Sequence, residues 1–175
     1  NFTSYTGVDN LKDDYVKAII QEILAFSSDA RNYIITSIYI GGGTPSCMGE
    51  GVIPSILKVI FDNYNVSKVC EISTEANPNS ITIEKAKEWK KCGINRVSIG
   101  LQSSNDNLLK IINRPHKKSD YLNAIKILKK VGFKNINTDI MIGLPHQTLQ
   151  DVKDTINLVL KTRIPHISAY SLILE

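Results

Sequence analysis

The sequence predicts an α/β protein, part of a parallel (β/α) barrel with helices on its outer side. Three observations carry this. Segments of alternating apolar side chains interleave with segments of helical apolar spacing along the whole chain, the order in which helical crossovers join parallel strands. Two stretches echo each other: "KKCGINRVSIGL" at 90–101 and "KKVGFKNINTDI" at 129–140 both read Lys-Lys-x-Gly, an apolar residue, then a strand. Such repetition favours a barrel over an open doubly wound sheet. No low-complexity stretch or Pro/Gly/Ser-rich linker interrupts the pattern, so residues 1–175 are expected to form one unit.

The elements follow in order. Residues 11–26 place Tyr15, Ile19 and Ile23, with Val16, Ile20 and Leu24, at helical spacing. "SIYI" is a strand that runs into Gly41-Gly42-Gly43. Residues 52–63 form an amphipathic helix through Val52, Ile53, Ile56, Leu57, Ile60 and Phe61. "KVCEIST", 68–74, is a short strand. The helix after it has Thr82 as N-cap and Gly93 as its stop. "NRVSIGLQ" alternates Val97, Ile99 and Leu101 as a strand. A short helix covers 105–112, and a longer one runs from Ser119 to Gly132. "NINTDIMIG" is a strand, "TLQDVKDTINLVLKT" a helix capped by Thr148 and Asp151, and "HISAYSLIL" a closing strand. Five strands are expected, from a barrel lacking at least its first.

Composition narrows the class. The chain is 42% hydrophobic and 22% charged, with net charge +4. Its lysines are scattered over "KEWKK", "RPHKK" and "KILKK" beside acidic and apolar residues, as on solvated helix faces. A nucleic-acid surface would need a clustered basic stripe. No apolar run reaches the ~18 residues of a bilayer span, and "NFTSYTGVDN" has no signal-peptide core; a cytoplasmic protein is expected. Cys47, Cys70 and Cys92 are odd in number and far apart, unlike a disulfide framework or metal knuckle.

In parallel α/β folds, sites form beyond the carboxyl ends of the strands. There stand the triple glycine with Thr44 and Pro45, then Glu75 in "TEANP", Gln102 with Ser103 and Ser104, Asp139 followed by "GLP", and "SAYSLI". Glycine inside a strand is destabilising, so three together point to something that approaches the backbone closely. Each residue also has a plainer reading. The glycines could form only a tight turn, or hold phosphate, although neither a P-loop nor a G-x-G-x-x-G pattern follows. Glu75 could cap a turn, backbone N–H groups could satisfy Asp139, and Arg114 could be a surface arginine. His116 and His166 have no partner at metal-ligand spacing and are taken as non-ligands.

In order and spacing, "GGGTPS", "STEANP", "IGLQS", "NRPH", "DIMIGLPHQT" and "ISAYSLILE" resemble the radical S-adenosylmethionine (SAM) enzymes of the oxygen-independent coproporphyrinogen III oxidase family, nearest to its heme-chaperone (HemW) branch. The resemblance covers essentially the whole chain. It implies a partial (β/α)6, TIM-like radical SAM barrel. It also implies that Gly42, Gly43, Thr44, Glu75, Gln102, Arg114, Asp139 and Ile173 contact SAM. Bare glycine carbonyls and Glu75 suit an ammonium, an arginine fork suits a carboxylate, and an aspartate suits sugar hydroxyls. In the family, SAM is cleaved beside a [4Fe–4S] cluster to methionine and a 5′-deoxyadenosyl radical. The oxidase branch uses this to decarboxylate propionates; the HemW branch binds heme and delivers it. Heme or porphyrin, an electron donor protein and a heme-accepting protein are the partners implied.

One departure is large. The family's C-x-x-x-C-x-x-C, which supplies three thiolates to the cluster, does not occur in the 175 residues, and the three cysteines present do not have its spacing. The expectation is a fragment whose cluster ligands lie upstream of Asn1, whose C-terminal domain lies beyond Glu175, and which is inactive alone. Two alternatives stand beside HemW: a coproporphyrinogen III dehydrogenase, and a non-radical barrel that binds a phosphorylated metabolite.

Overall fold

Five parallel strands form one sheet in chain order in this computed structural model, which describes residue 7 and residues 9–173. The sheet curls into a half-barrel. Its strands are β1 (Ile35–Ile40), β2 (Val66–Ala76), β3 (Arg96–Gln102), β4 (Asn135–Ile142) and β5 (His166–Ser171). The helices are α1 (Lys12–Phe26), α2 (Val52–Asn63), α3 (Ile83–Lys91), α4 (Asp106–Ile111), α5 (Lys118–Val131) and α6 (Leu149–Lys161).

Local chemistry sets the helix ends. The Lys85 N–H donates to the Thr82 hydroxyl at 3.2 Å to start α3, and Gly93, with φ +103°, turns the chain after it. Thr148 and Asp151 bond each other's backbone N–H groups at the start of α6, at 3.2 and 2.8 Å. The second long helix begins at Lys118, one residue before the expected Ser119, because the Lys117 N–H donates to the Asp120 carboxylate at 2.7 Å. The first begins at Lys12, since Leu11 ends a 3-10 turn, Asp9–Leu11. β2 is longer than the expected 68–74. It enters the sheet at Val66 opposite Ile35 and regains pairing at Glu71 opposite Ser37. β5 is shorter and ends at Ser171; Leu174, the last residue of the expected strand, lies outside the described residues.

The two faces of the sheet differ in chemistry. Ile72, Val97, Ile99, Leu101, Ile136 and Ile140 point outward and pack against Leu57, Trp89, Tyr121, Leu128 and Val159 of the helices, all buried. Full burial of one such aliphatic side chain is worth about 1.5–3 kcal/mol. The alternate residues line the concave face and are mostly polar. Register sets them in rows: Glu75, Ser98, Asn137 and His166 in one, and Gly100, Asp139 and Ser168 in the next. Among the described residues, no helix is long and apolar enough to cross a membrane.

Candidate functional site

The three glycines after β1 have three different reasons to be there. A Cβ on Gly41 would stand 2.7 Å from the Tyr39 ring and 3.2 Å from the Glu75 carboxylate. The bare backbone lets the Tyr39 hydroxyl donate to Glu75 Oε1 at 2.7 Å. Gly42 has φ +120° and no atom within 4 Å of where its Cβ would be. Gly43 offers backbone to the concave side, where it lines the cleft with Gly42 and Thr44. The turn is then anchored: buried Ser46 accepts from the Asn77 N–H at 3.1 Å and meets the Ser80 hydroxyl at 2.6 Å. Gly41→Ala is expected to part the Tyr39–Glu75 pair. Burial, then the bond to Glu75, hold the Tyr39 phenol well above its ordinary range. A spectrophotometric titration of the variant should therefore show one tyrosine moved downward, together with a lower melting temperature; an unmoved titration would count against the pair.

Above the concave face lies a cleft of about 580 Å³, lined by the glycine turn, Glu75, Asn77, Ser98, Gly100, Gln102, Arg114, Asp139, Met141 and Tyr170. Asp139 is half-buried. Asn137 Nδ2 donates to its Oδ1 at 2.7 Å, and the Ser98 hydroxyl donates to its Oδ2 at 3.0 Å. Burial raises the Asp139 pKa, the two hydrogen bonds oppose that rise, and the Glu75 charge adds to it. The plainer reading, Asp139 satisfied by backbone N–H groups, is replaced by side-chain donors from two strands. Asn137 is itself held, as its Oδ1 accepts from His166 Nδ1 at 2.6 Å and from Ser168 Oγ at 3.1 Å.

Gln102 and Arg114 meet over Gly100. A Cβ there would stand 2.9 Å from Gln102 Nε2 and 3.9 Å from both terminal nitrogens of Arg114. Arg114 is half-buried and donates to Asn77 Oδ1 at 3.1 Å. Burial draws its pKa down, from a value high enough that the guanidinium stays charged. Gln102 is 7% exposed, and its Oε1 is a buried acceptor without a hydrogen-bond partner. The cleft thus combines one cation, two carboxylates, a side-chain amide and open glycine backbone. That donor set suits a zwitterionic amino-acid group joined to a hydroxylated ring.

Residues 3–159 match the sequence family described as the radical SAM superfamily. The chain belongs to that superfamily. Its relatives include the heme chaperone HemW of Bacillus subtilis, 35% identical over the whole of this chain and 46% of that protein, and HemW of Buchnera aphidicola subsp. Schizaphis graminum, 38% identical over the same shares. The chain spans about half the length of these curated relatives. Its fold superimposes on the radical SAM enzyme coproporphyrinogen III oxidase (HemN) from Escherichia coli with a TM-score of 0.91, at 24% identity, over 99% of this chain and 40% of that one.

Radical SAM membership implies SAM and a [4Fe–4S] cluster. The residues here fit SAM: the Arg114 fork, the Glu75 and Asp139 carboxylates and the open face at Gly42 all front one cleft. Seven of the eight residues singled out from the sequence line it, namely Gly42, Gly43, Thr44, Glu75, Gln102, Arg114 and Asp139. Ile173 does not: it lies past the end of β5 and is 81% exposed. The cluster does not fit these cysteines. Cys47 is exposed beside the glycine turn, Cys70 is buried in β2 and Cys92 caps α3. Among the described residues, no group of three His, Cys, Asp or Glu side chains converges for a metal. Sequence reasoning missed Tyr39, Asn77, Ser98, Gly100, Asn137 and Tyr170. For Ser98, Gly100, Asn137 and Tyr170 a signal existed, since they occupy the alternate positions between the apolar residues of their strands.

Proposed function

We propose that this chain is the SAM-binding core of a HemW-type radical SAM protein, which binds heme and delivers it. The convergence of Arg114, Glu75, Gln102 and Asp139 with the open glycine turn on one cleft carries the reading. Arg114 is placed to take the SAM carboxylate in its fork. Glu75 and the glycine backbone would accept from the ammonium. Asp139, kept oriented by Ser98 and Asn137, would accept from ribose hydroxyls. SAM bound beside a reduced cluster supplies one-electron chemistry, and that cluster would take its thiolates from outside residues 1–175. An electron donor and a heme-accepting protein complete the proposal, with the cytoplasm as its setting. Full-length relatives at 35–38% identity named heme chaperone HemW support this branch over the coproporphyrinogen III dehydrogenase. A phosphorylated metabolite fits poorly, because Glu75 and Asp139 would face its anion.

The test is calorimetric titration of SAM into the full-length protein. Tight binding in the wild type, with Gln102→Ala weaker by about fivefold or more, is expected, in line with the ~1–3 kcal/mol tied to a lost buried partner. No binding, or equal binding by the variant, would sink the reading. Hemin titration, followed by absorption, and product analysis with coproporphyrinogen III separate the chaperone from the dehydrogenase.

A further inference from the structure

The turn that carries Gln102 is strained, and something must hold it. In the β3–β4 ladder Gly100 pairs with Asp139, but Gln102 pairs with Ile140, so Leu101 is an extra residue on β3. Such bulges re-aim side chains near functional sites. Here the Ser103 N–H donates to the Leu101 carbonyl at 2.9 Å, and Gln102 between them has φ +67°. An i to i+2 bond around a positive φ is a γ-turn of the rarer, strained kind. Strain of this sort persists only where the surroundings over-determine it.

The Leu101 carbonyl has a second partner. His116 Nε2 lies 3.1 Å from it, and the imidazole is only 2% exposed. Burial lowers the His116 pKa and keeps the ring neutral, so it carries one N–H. Facing a carbonyl, that proton belongs on Nε2. Nδ1 is left as a buried acceptor without a partner. A side chain that only filled space would incur no such cost as leucine or phenylalanine. The segment "NRPH" therefore supplies two groups to one place: Arg114 lines the cleft, and two residues on His116 reaches the carbonyl beneath its neighbour Gln102.

We propose that His116 is a positioning residue, whose imidazole N–H clamps the Leu101 carbonyl and so fixes the γ-turn that aims the Gln102 amide into the cleft. Its structural part stands independently of the ligand; only the affinity part rests on the SAM reading above.

The experiment has a ligand-free arm and a SAM arm, both on the full-length protein. A long-range ¹⁵N–¹H spectrum of the wild type is expected to show His116 neutral and protonated on Nε2; the Nδ1 tautomer or an imidazolium would overturn the proposal. The Gln102 amide–Hα coupling, or a crystal structure, should show the positive φ retained in His116→Gln, which keeps a donor, and lost in His116→Leu. A folded His116→Leu that keeps the turn would overturn it. If His116→Leu fails to fold, His116→Gln decides alone: a folded variant that has lost the turn overturns the proposal, and one that keeps it supports it. In the SAM arm, His116→Leu should weaken binding about five- to tenfold and His116→Gln less than twofold. In a Gln102→Ala background, His116→Leu should add nothing. An equal loss in both backgrounds would mean that His116 acts on the fold and not through Gln102. Absent SAM binding by the wild type would refute the ligand reading, while the tautomer and the turn would still decide this one.

Discussion

Gly42→Val is expected to weaken SAM binding at least about a hundredfold (~2.7 kcal/mol) while leaving the fold in place. Two causes act together. Gly42 has φ +120°, outside the regions open to L-residues and worst for a β-branched one. Its Cβ position has no atom within 4 Å, so the new side chain would meet no protein wall and would fill the ligand's volume. The strain itself should cost stability by about 1–3 kcal/mol, a measurable drop in melting temperature without loss of cooperativity. Calorimetry with SAM reads the larger effect. Affinity equal to that of the wild type would reduce the glycines to a turn.

Asp139→Asn should weaken SAM binding by about ten- to a hundredfold and yet stabilise the ligand-free protein at neutral pH. The two effects have one source. Burial holds the Asp139 pKa above its ordinary value, so the folded state binds its proton more tightly than the unfolded chain does. The ionised carboxylate is then a liability to folding above the folded-state pKa, and that liability disappears as pH falls below the ordinary carboxylate value. Asparagine keeps the shape, with its one oxygen at the Oδ1 position, which lies 2.7 Å from Asn137 Nδ2 and 3.2 Å from Ser98 Oγ, and it removes the charge. Its gain in melting temperature should be full at neutral pH and shrink as the pH is lowered through the folded-state pKa. A variant less stable than the wild type at pH 7, or a gain that grows in acid, would contradict this account. The loss of affinity follows from the weaker acceptor offered to ribose hydroxyls, since bonds to a charged group are worth about 1.5–3 kcal/mol.

The parallel sheet was legible because each strand's apolar half recurs at period two and the intervening helices at helical period. Val97, Ile99 and Leu101 announce β3, and they pack outward. The cleft was half legible: Glu75, Gln102 and Asp139 interrupt apolar runs at strand ends, and the family motifs pointed to the rest. Less legible was whatever depends on a partner far along the chain. Tyr39 and Glu75 are 36 residues apart, and nothing in "SIYI" shows that a tyrosine hydroxyl there reaches a carboxylate over Gly41. The γ-turn at Gln102 is hidden for the same reason, as its clamp stands at His116. β2 begins early because Val66 pairs with Ile35 across the sheet, a tertiary effect that local pattern does not carry. Ile173 was assigned from motif position alone, and the structure puts it beyond the last paired residue, Ser171.

The division of the sheet into an apolar outer face and a polar concave face constrains length more than composition. Removing one residue from the middle of β4 would reverse the facing of everything on one side of the deletion. The Asp139 carboxylate would then be driven among the helices while Ile140 turned into the cleft. Core and site would fail at the same stroke, although every amino-acid type needed by each would still be present. Point substitutions at neighbouring positions can act on one function and spare the other. Insertions and deletions inside β2, β3 and β4 cannot, so tolerated changes in length belong in the connections at the opposite end of the strands from the cleft.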